Sequence, residues 1–207
     1  MLFPSKNHLD LNNFFRGYNK KIIEGFSTID VRELEKICKI LEDNIHAGNK
    51  IFSCGNGGSS SIAEHFVCDA VKGSSTDTDI QPVMYSLPSN TALLTAVAND
   101  ISYDQVFAFQ LKKYAKNEDI LLAISSSGNS PNIIAAIEMA KSLGLYTVSF
   151  VGFTGGEAKE LSDYCIHVKI NNYGVVEDIH QSLMHILTQY LRLKHLENFE
   201  DIGKKVF

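Results

Sequence analysis

No apolar stretch in this 207-residue chain reaches the roughly 18 residues that a membrane span needs. The first twenty residues lack the basic-then-apolar pattern of a secretory leader. The four cysteines, Cys38, Cys54, Cys68 and Cys165, form no CxxC pair, so free thiols in a reducing compartment are the expectation. These absences together point to the cytoplasm. Basic residues are also in deficit: 19 Lys and Arg face 24 Asp and Glu, a formal net charge of −5. A chain of that balance has no basic field with which to displace counterions from nucleic acid. A phosphate ligand is not excluded, because loop amides and hydroxyls hold phosphate without net positive charge. There is no internal repeat, no low-complexity tract and no Pro/Gly-rich linker. One domain over 1–207 is therefore expected.

The residues present describe a layered fold. Leu11, Phe14, Phe15, Tyr18, Ile22, Ile23 and Phe26 recur at helical spacing over 11–27. Asp30 is placed to cap a second helix, 31–47, with Glu33 at the capping-box position and Gly48 as its stop. The apolar residues Phe14, Phe15 and Phe26 can face either the chain's own core or a partner subunit. Strands are expected at 50–54, 82–87, 119–124, 145–151 and 164–169. Helices are expected near 60–72, 89–98, 103–116, 131–143, 156–161 and 176–197. Runs such as ILLAI suit strands covered on both faces of a parallel sheet. This order predicts an α/β three-layer αβα sandwich of about five parallel strands, a core of 50–197 preceded by two helices.

Two loops carry the chemistry of anion binding. CGNGGSSS, Cys54–Ser61, directly follows the first strand. Its glycines let backbone approach a ligand, and its serines open a helix whose free amides favour an anion. Asn56, Gly57, Gly58 and Ser59 are its candidate binding residues. ISSSGNSPN, Ile124–Asn132, follows the third strand. Ser125, Ser126, Ser127 and Ser130 surround Gly128, with Pro131 suited to a first helical turn. Four serines in six residues at the carboxyl end of a buried strand sit where open α/β sheets bind ligands. Neither loop has the G-x-G-x-x-G spacing or the lysine of a nucleotide P-loop.

Two carboxylate–imidazole pairs are the other signal. His65 and Asp69 are four apart and share a helix face. Glu177 and His185 lie on neighbouring faces of the last helix, with Gln181 between them. His180 is roughly 140° around that helix from His185 and should point elsewhere. Each pair alone is compatible with an ion pair or a satisfied core histidine. Together, His65, Asp69, Glu177 and His185 can form one four-ligand site for zinc or a similar divalent metal. Asn99, Asp100 and Asp104 are expected in a loop between helices, as sugar contacts or as caps. His8, His46, His167 and His195 read as structural or solvent-facing.

On these motifs the chain resembles the sugar isomerase (SIS) domain family, and within it the phosphoheptose isomerases. The likeness runs from about residue 10 to 195 and rests on the two N-terminal helices, CGNGGS, ISSSGNS and E-x-x-H-x-x-x-x-H. The resemblance implies a homotetramer with a flavodoxin-like sandwich. It implies aldose–ketose isomerisation of sedoheptulose 7-phosphate through an enediol, for lipopolysaccharide or capsule heptose. It places phosphate on Ser59, Ser125, Ser127 and Ser130, and sugar on Asn56 and Asp100. It implies zinc on His65, Asp69, Glu177 and His185, with Asp69 or Glu177 as base and His185 as the opposing acid/base. The family usually has glutamate at the position of Asp69 and glutamine at that of Glu177. Two alternatives stay open: isomerisation of another sugar phosphate, and a non-catalytic SIS protein that binds a partner such as a replication initiator. A sugar-sensing transcription factor does not fit, because no helix-turn-helix segment is added.

Overall fold

The computed structural model describes residues 3–4, 10–198, 200 and 202; His8 lies outside them. Two helices come first, α1 Leu11–Phe26 and α2 Val31–His46. Asp10 and Asp30 cap them, each accepting a bond from the backbone amide two residues on. Glu33 does not close the expected capping box. Its carboxylate turns instead to Lys36 and to the Cys165 amide, because an exposed ammonium one turn away is the better partner. Gly48 stops α2 with φ +69°, a conformation that a Cβ disfavours.

The rest alternates. β1 Lys50–Gly55 leads into α3 Gly58–Cys68, which continues as a π-helical turn, Asp69–Ser74. Then come β2 Val83–Ser86, α4 Thr91–Asp100, a 3₁₀ turn at Tyr103–Gln105 and α5 Ala108–Tyr114. β3 Ile120–Ser125, α6 Pro131–Ser142, β4 Tyr146–Val151, α7 Gly156–Leu161, β5 Tyr164–His167 and α8 Tyr173–Lys194 complete the chain. Two expectations need correction. Residues 103–116 are not one helix, because the chain tightens at Tyr103–Gln105 before α5 starts. Asn99 and Asp100 are not in a loop; they form the last turn of α4.

All five strands are parallel, in the order β2-β1-β3-β4-β5. Every residue of β3 is buried, as its unbroken apolar run requires. Its side chains alternate between two cores. Ile120, Leu122 and Ile124 pack under α2, α3 and α8, and Leu121 and Ala123 pack under α5, α6 and α7. The direction in which successive strands are added reverses between β1 and β3, and the crevice at that switch point is where such sheets bind ligands. Both glycine–serine loops open there.

Tyr18, Ile22 and Phe26 of α1 lie against the first core, while Leu11, Phe15 and Ile23 are exposed on the other face. The same helix thus serves the chain's own core and leaves an apolar stripe uncovered. α1 also meets α8 through the Tyr18 hydroxyl, which donates to Asp178 at 2.6 Å.

Candidate functional site

The β1–α3 loop is shaped by what its glycines permit. Gly57 has φ +55° and ψ −123°, a region closed to side chains. A Cβ on Gly55 would lie 2.5 Å from the backbone of Ser59, so β1 and the first turn of α3 can touch only through glycine. Ser59 is buried at the head of α3, where helix amides are free.

The β3–α6 loop lies beside it. Ser125 and Ser126 are buried and Ser127 is half-buried. The Ser125 hydroxyl accepts from the Gly128 amide at 3.2 Å, and the Ser127 hydroxyl from the Asn129 amide at 3.3 Å. Ser126 Oγ is buried without a hydrogen-bond partner among the described residues. Ser130 stands at the N-cap of α6 but makes no capping bond with its side chain, and Pro131 fills the first turn. The Ser125 and Ser127 hydroxyls keep their protons to donate, and together with the head of α6 they are groups suited to a phosphate.

The two loops are tied together by a pair that sequence reasoning missed. Asn56 and Asn132 exchange amide hydrogen bonds, and the Tyr103 hydroxyl donates to Asn56 Oδ1 at 3.0 Å. Asn132 closed the second motif in the sequence, but its partner lies in the loop after another strand. Asn99 and Asp100 are exposed at the end of α4 and bond to each other at 2.8 Å.

Further along α3 and its π-helical continuation, the structure brings together His65, Asp69 and His185. Asp69 Oδ1 lies 3.3 Å from His65 Nε2, and Asp69 Oδ2 lies 3.4 Å from His185 Nε2. The two imidazoles meet edge to face, their centres 5.1 Å apart. One donor atom from each residue falls within 4.8 Å of the others. Asp69 opens the π-helical turn, a distortion that often accompanies functional positions. Gln181 Nε2 lies 2.9 Å from His185 Nε2. The Gln181 side chain and the Asp69 carboxylate thus both face the same ring nitrogen of His185. Two imidazoles and a carboxylate, all part-exposed, fit a zinc-class ion with a position left for substrate or water.

Glu177 stands apart from that triad. Its carboxylate rests against Gly58, where a Cβ would come within 2.3 Å of Oε2. Burial, with the charge of Asp178 next to it, pushes its carboxyl above the ordinary range. His180 points away from His185, as its place on the helix requires. It is fully buried beside Phe150 and reaches the Val151 carbonyl through Nε2 at 3.2 Å. Burial lowers it to about 4, so it is neutral. A large cleft lined by Arg32, Lys36, Asn49, Glu118 and Tyr146 lies at the opposite, amino-terminal ends of the strands, away from these groups.

Comparison with known proteins gives a consistent picture. The SIS domain family matches residues 14–152. A phosphoheptose isomerase of Akkermansia muciniphila is 36% identical over 159 residues, covering 76% of this chain and 82% of that relative. One from Helicobacter pylori is 37% identical, covering 75% of this chain and 84% of the relative. A solved phosphoheptose isomerase structure from Francisella tularensis superposes with a TM-score of 0.81 at 27% identity. It covers 88% of this chain and 96% of its own.

Proposed function

Since the chain belongs to the SIS domain family, among the phosphoheptose isomerases, we propose that it interconverts sedoheptulose 7-phosphate and D-glycero-D-manno-heptose 7-phosphate. The observation that carries this reading is the meeting of His65, Asp69 and His185 on α3, its π-helical continuation and α8, in a chain whose β1–α3 and β3–α6 loops carry the serine hydroxyls.

In the proposed arrangement, Ser59, Ser125, Ser126, Ser127 and Ser130, with the amides of Gly57 and Gly58, hold the phosphate. Asn56 donates to the sugar, and Asn99 and Asp100 border its far side. The reaction moves one proton between neighbouring carbons. A carbonyl makes the adjacent C–H acidic, so a carboxylate can take the proton from C1 and return it to C2. Asp69 is the first choice for that base because it already lies between the two imidazoles. Glu177 is the second, since its raised carboxyl at Gly58 is nearer to accepting a proton at neutral pH. The hydroxyl proton must move from O1 to O2 at the same time. His185, a half-exposed imidazole, is the proposed carrier, through Nδ1 where Nε2 is given to the metal. His65, Asp69 and His185 would hold a zinc ion, and Glu177 is the proposed fourth ligand. When bound, the ion supplies Lewis-acid polarisation of the substrate oxygens.

The exposed stripe of Leu11, Phe15 and Ile23 supports assembly through α1, and a homotetramer is the form we propose. No described helix is long and apolar enough to cross a membrane. A cytoplasmic enzyme of heptose synthesis for surface polysaccharide, folded as one domain, completes the reading.

Turnover is the test. Purified protein is given sedoheptulose 7-phosphate with and without zinc, and aldoheptose phosphate is followed. Product that depends on zinc and is lost in His185→Ala supports the reading. Folded protein that binds the sugar phosphate but makes no product under either condition overturns it.

A further inference from the structure

Two of the histidines that read as isolated in the sequence, His46 and His195, meet in the fold. His195 caps the carboxyl end of α8 and His46 is the last residue of α2. The fold sets their rings 5.1 Å apart beside Glu42. His195 Nε2 lies 2.7 Å from Glu42 Oε1, and one donor atom from each of Glu42, His46 and His195 falls within 4.8 Å of the others. We propose that Glu42, His46 and His195 form a second divalent-metal site, of the zinc class, that clips the end of α2 to the end of α8.

Four observations support it. The donor set is two imidazoles and one carboxylate, the ligands that zinc and its neighbours favour over calcium or magnesium. The outer partners are in place: His195 Nδ1 faces Asp79 Oδ1 at 2.9 Å, which directs Nε2 toward the site. Glu42 Oε2 is held by the Lys194 ammonium at 2.7 Å, which leaves Oε1 as the ligand atom. Two helix carboxyl ends converge here, and their partial negative charge favours a cation.

Donor atoms around a tetrahedral zinc stand about 3.3 Å apart, given bonds near 2.0 Å. The 2.7 Å between His195 Nε2 and Glu42 Oε1 is shorter than that, so binding needs these two to part slightly while the exposed His46 supplies the third donor. Three protein ligands leave a fourth position for water. Glu42 is almost wholly buried, so the site would anchor an element interior and not only two surface chains. It lies apart from the His65, Asp69 and His185 cluster and does not depend on any role given to that cluster.

The test is zinc stoichiometry on chelator-stripped protein, read by competition with a chromophoric chelator and by the thermal midpoint. His185→Ala should still bind one equivalent and gain thermal stability from it. His46→Ala, a change at an exposed residue, should lose one equivalent relative to wild type and keep its turnover. The double variant should bind none and show no thermal shift. Asp79→Asn should weaken the second equivalent about 10–100-fold through the outer contact. If His185→Ala binds no zinc, the proposal fails. It also fails if His46→Ala keeps every equivalent at wild-type affinity.

Discussion

Asn56 and Asn132 exchange two amide hydrogen bonds, each 2.8 Å, across the seam between the two glycine–serine loops. With Tyr103 also donating, Asn56 Oδ1 has both lone pairs filled, and one N–H of its amide is left for a ligand. Asn132 thus sets which end of Asn56 faces the crevice. Replacing Asn132 by Asp removes a donor and places a carboxylate against Oδ1. KM should rise roughly tenfold, about 1.4 kcal/mol, with a smaller change in kcat. Steady-state kinetics on Asn132→Asp would read this, and an unchanged KM would remove Asn56 from substrate orientation.

Gly58 and Glu177 test each other. Gly58 is helical, so alanine fits its backbone, but the new methyl would occupy the place of the Glu177 carboxylate. Gly58→Ala should fold normally and displace Glu177. If Glu177 acts in catalysis, kcat should fall at least about tenfold in this variant and in Glu177→Gln alike. Full kcat in both would leave Asp69 as the sole carboxylate base.

Asp69 carries the sharper prediction. Asp69→Asn keeps the size of the side chain but cannot take a proton, and should lower kcat by about 10²–10⁴. Asp69→Glu restores the carboxylate, and the part-open site has room for the added methylene. Activity should largely survive in that variant. Comparable loss in both would mean that position, not proton transfer, is what Asp69 provides.

Gly128 should be intolerant for a different reason. Its φ is +67°, and a Cβ would lie 1.9 Å from the Gly155 carbonyl oxygen. Gly128→Ala should destabilise the chain by about 2 kcal/mol or more in urea unfolding. Ser127→Ala, one residue away, should leave stability nearly unchanged and raise KM. The pair separates the loop's shape from its hydroxyls.

Acid stability follows from His180. Burial lowers its imidazole to about 4, against about 6.5 in the unfolded chain. The unfolded state therefore binds the extra proton first. Stability is full above about pH 6.5 and falls as pH drops toward 4, by about 3 kcal/mol from this group. Glu42 adds to the fall lower down. Burial alone would raise it, but its bonds from Lys194 and His195 prevail and hold it low, so its contribution fades as pH drops through the carboxylate range. Urea midpoints at pH 7.5 and 5 would check the slope, which His180→Asn should flatten.

The strands, the two N-terminal helices and the polar loops were legible because each has a local cause. A buried parallel strand needs an unbroken apolar run, and β3 supplies one in Ile120–Ile124. A helix needs a cap, and Asp30 is read directly from its position. Gly–Ser segments at strand ends read as turns into a helix, because glycine permits the tight backbone they need. The π-helical turn at Asp69 was not legible, since nothing in DAVKGS distinguishes a widened turn from a fraying helix end and its setting is packing against α8.

Pairings between distant segments were decided by the tertiary structure. The sequence by itself determined that His65 and Asp69 share a face, because four residues nearly complete a helical turn. Only the packing of α8 against α3 brought His185 to them and left Glu177 at Gly58. In the same way, the sheet order set Asn132 opposite Asn56, and the ends of α2 and α8 made one cluster of Glu42, His46 and His195. Local spacing fixes which side chains share a helix face, whereas contacts between helices depend on how apolar faces pack on the sheet, which no short stretch of sequence encodes.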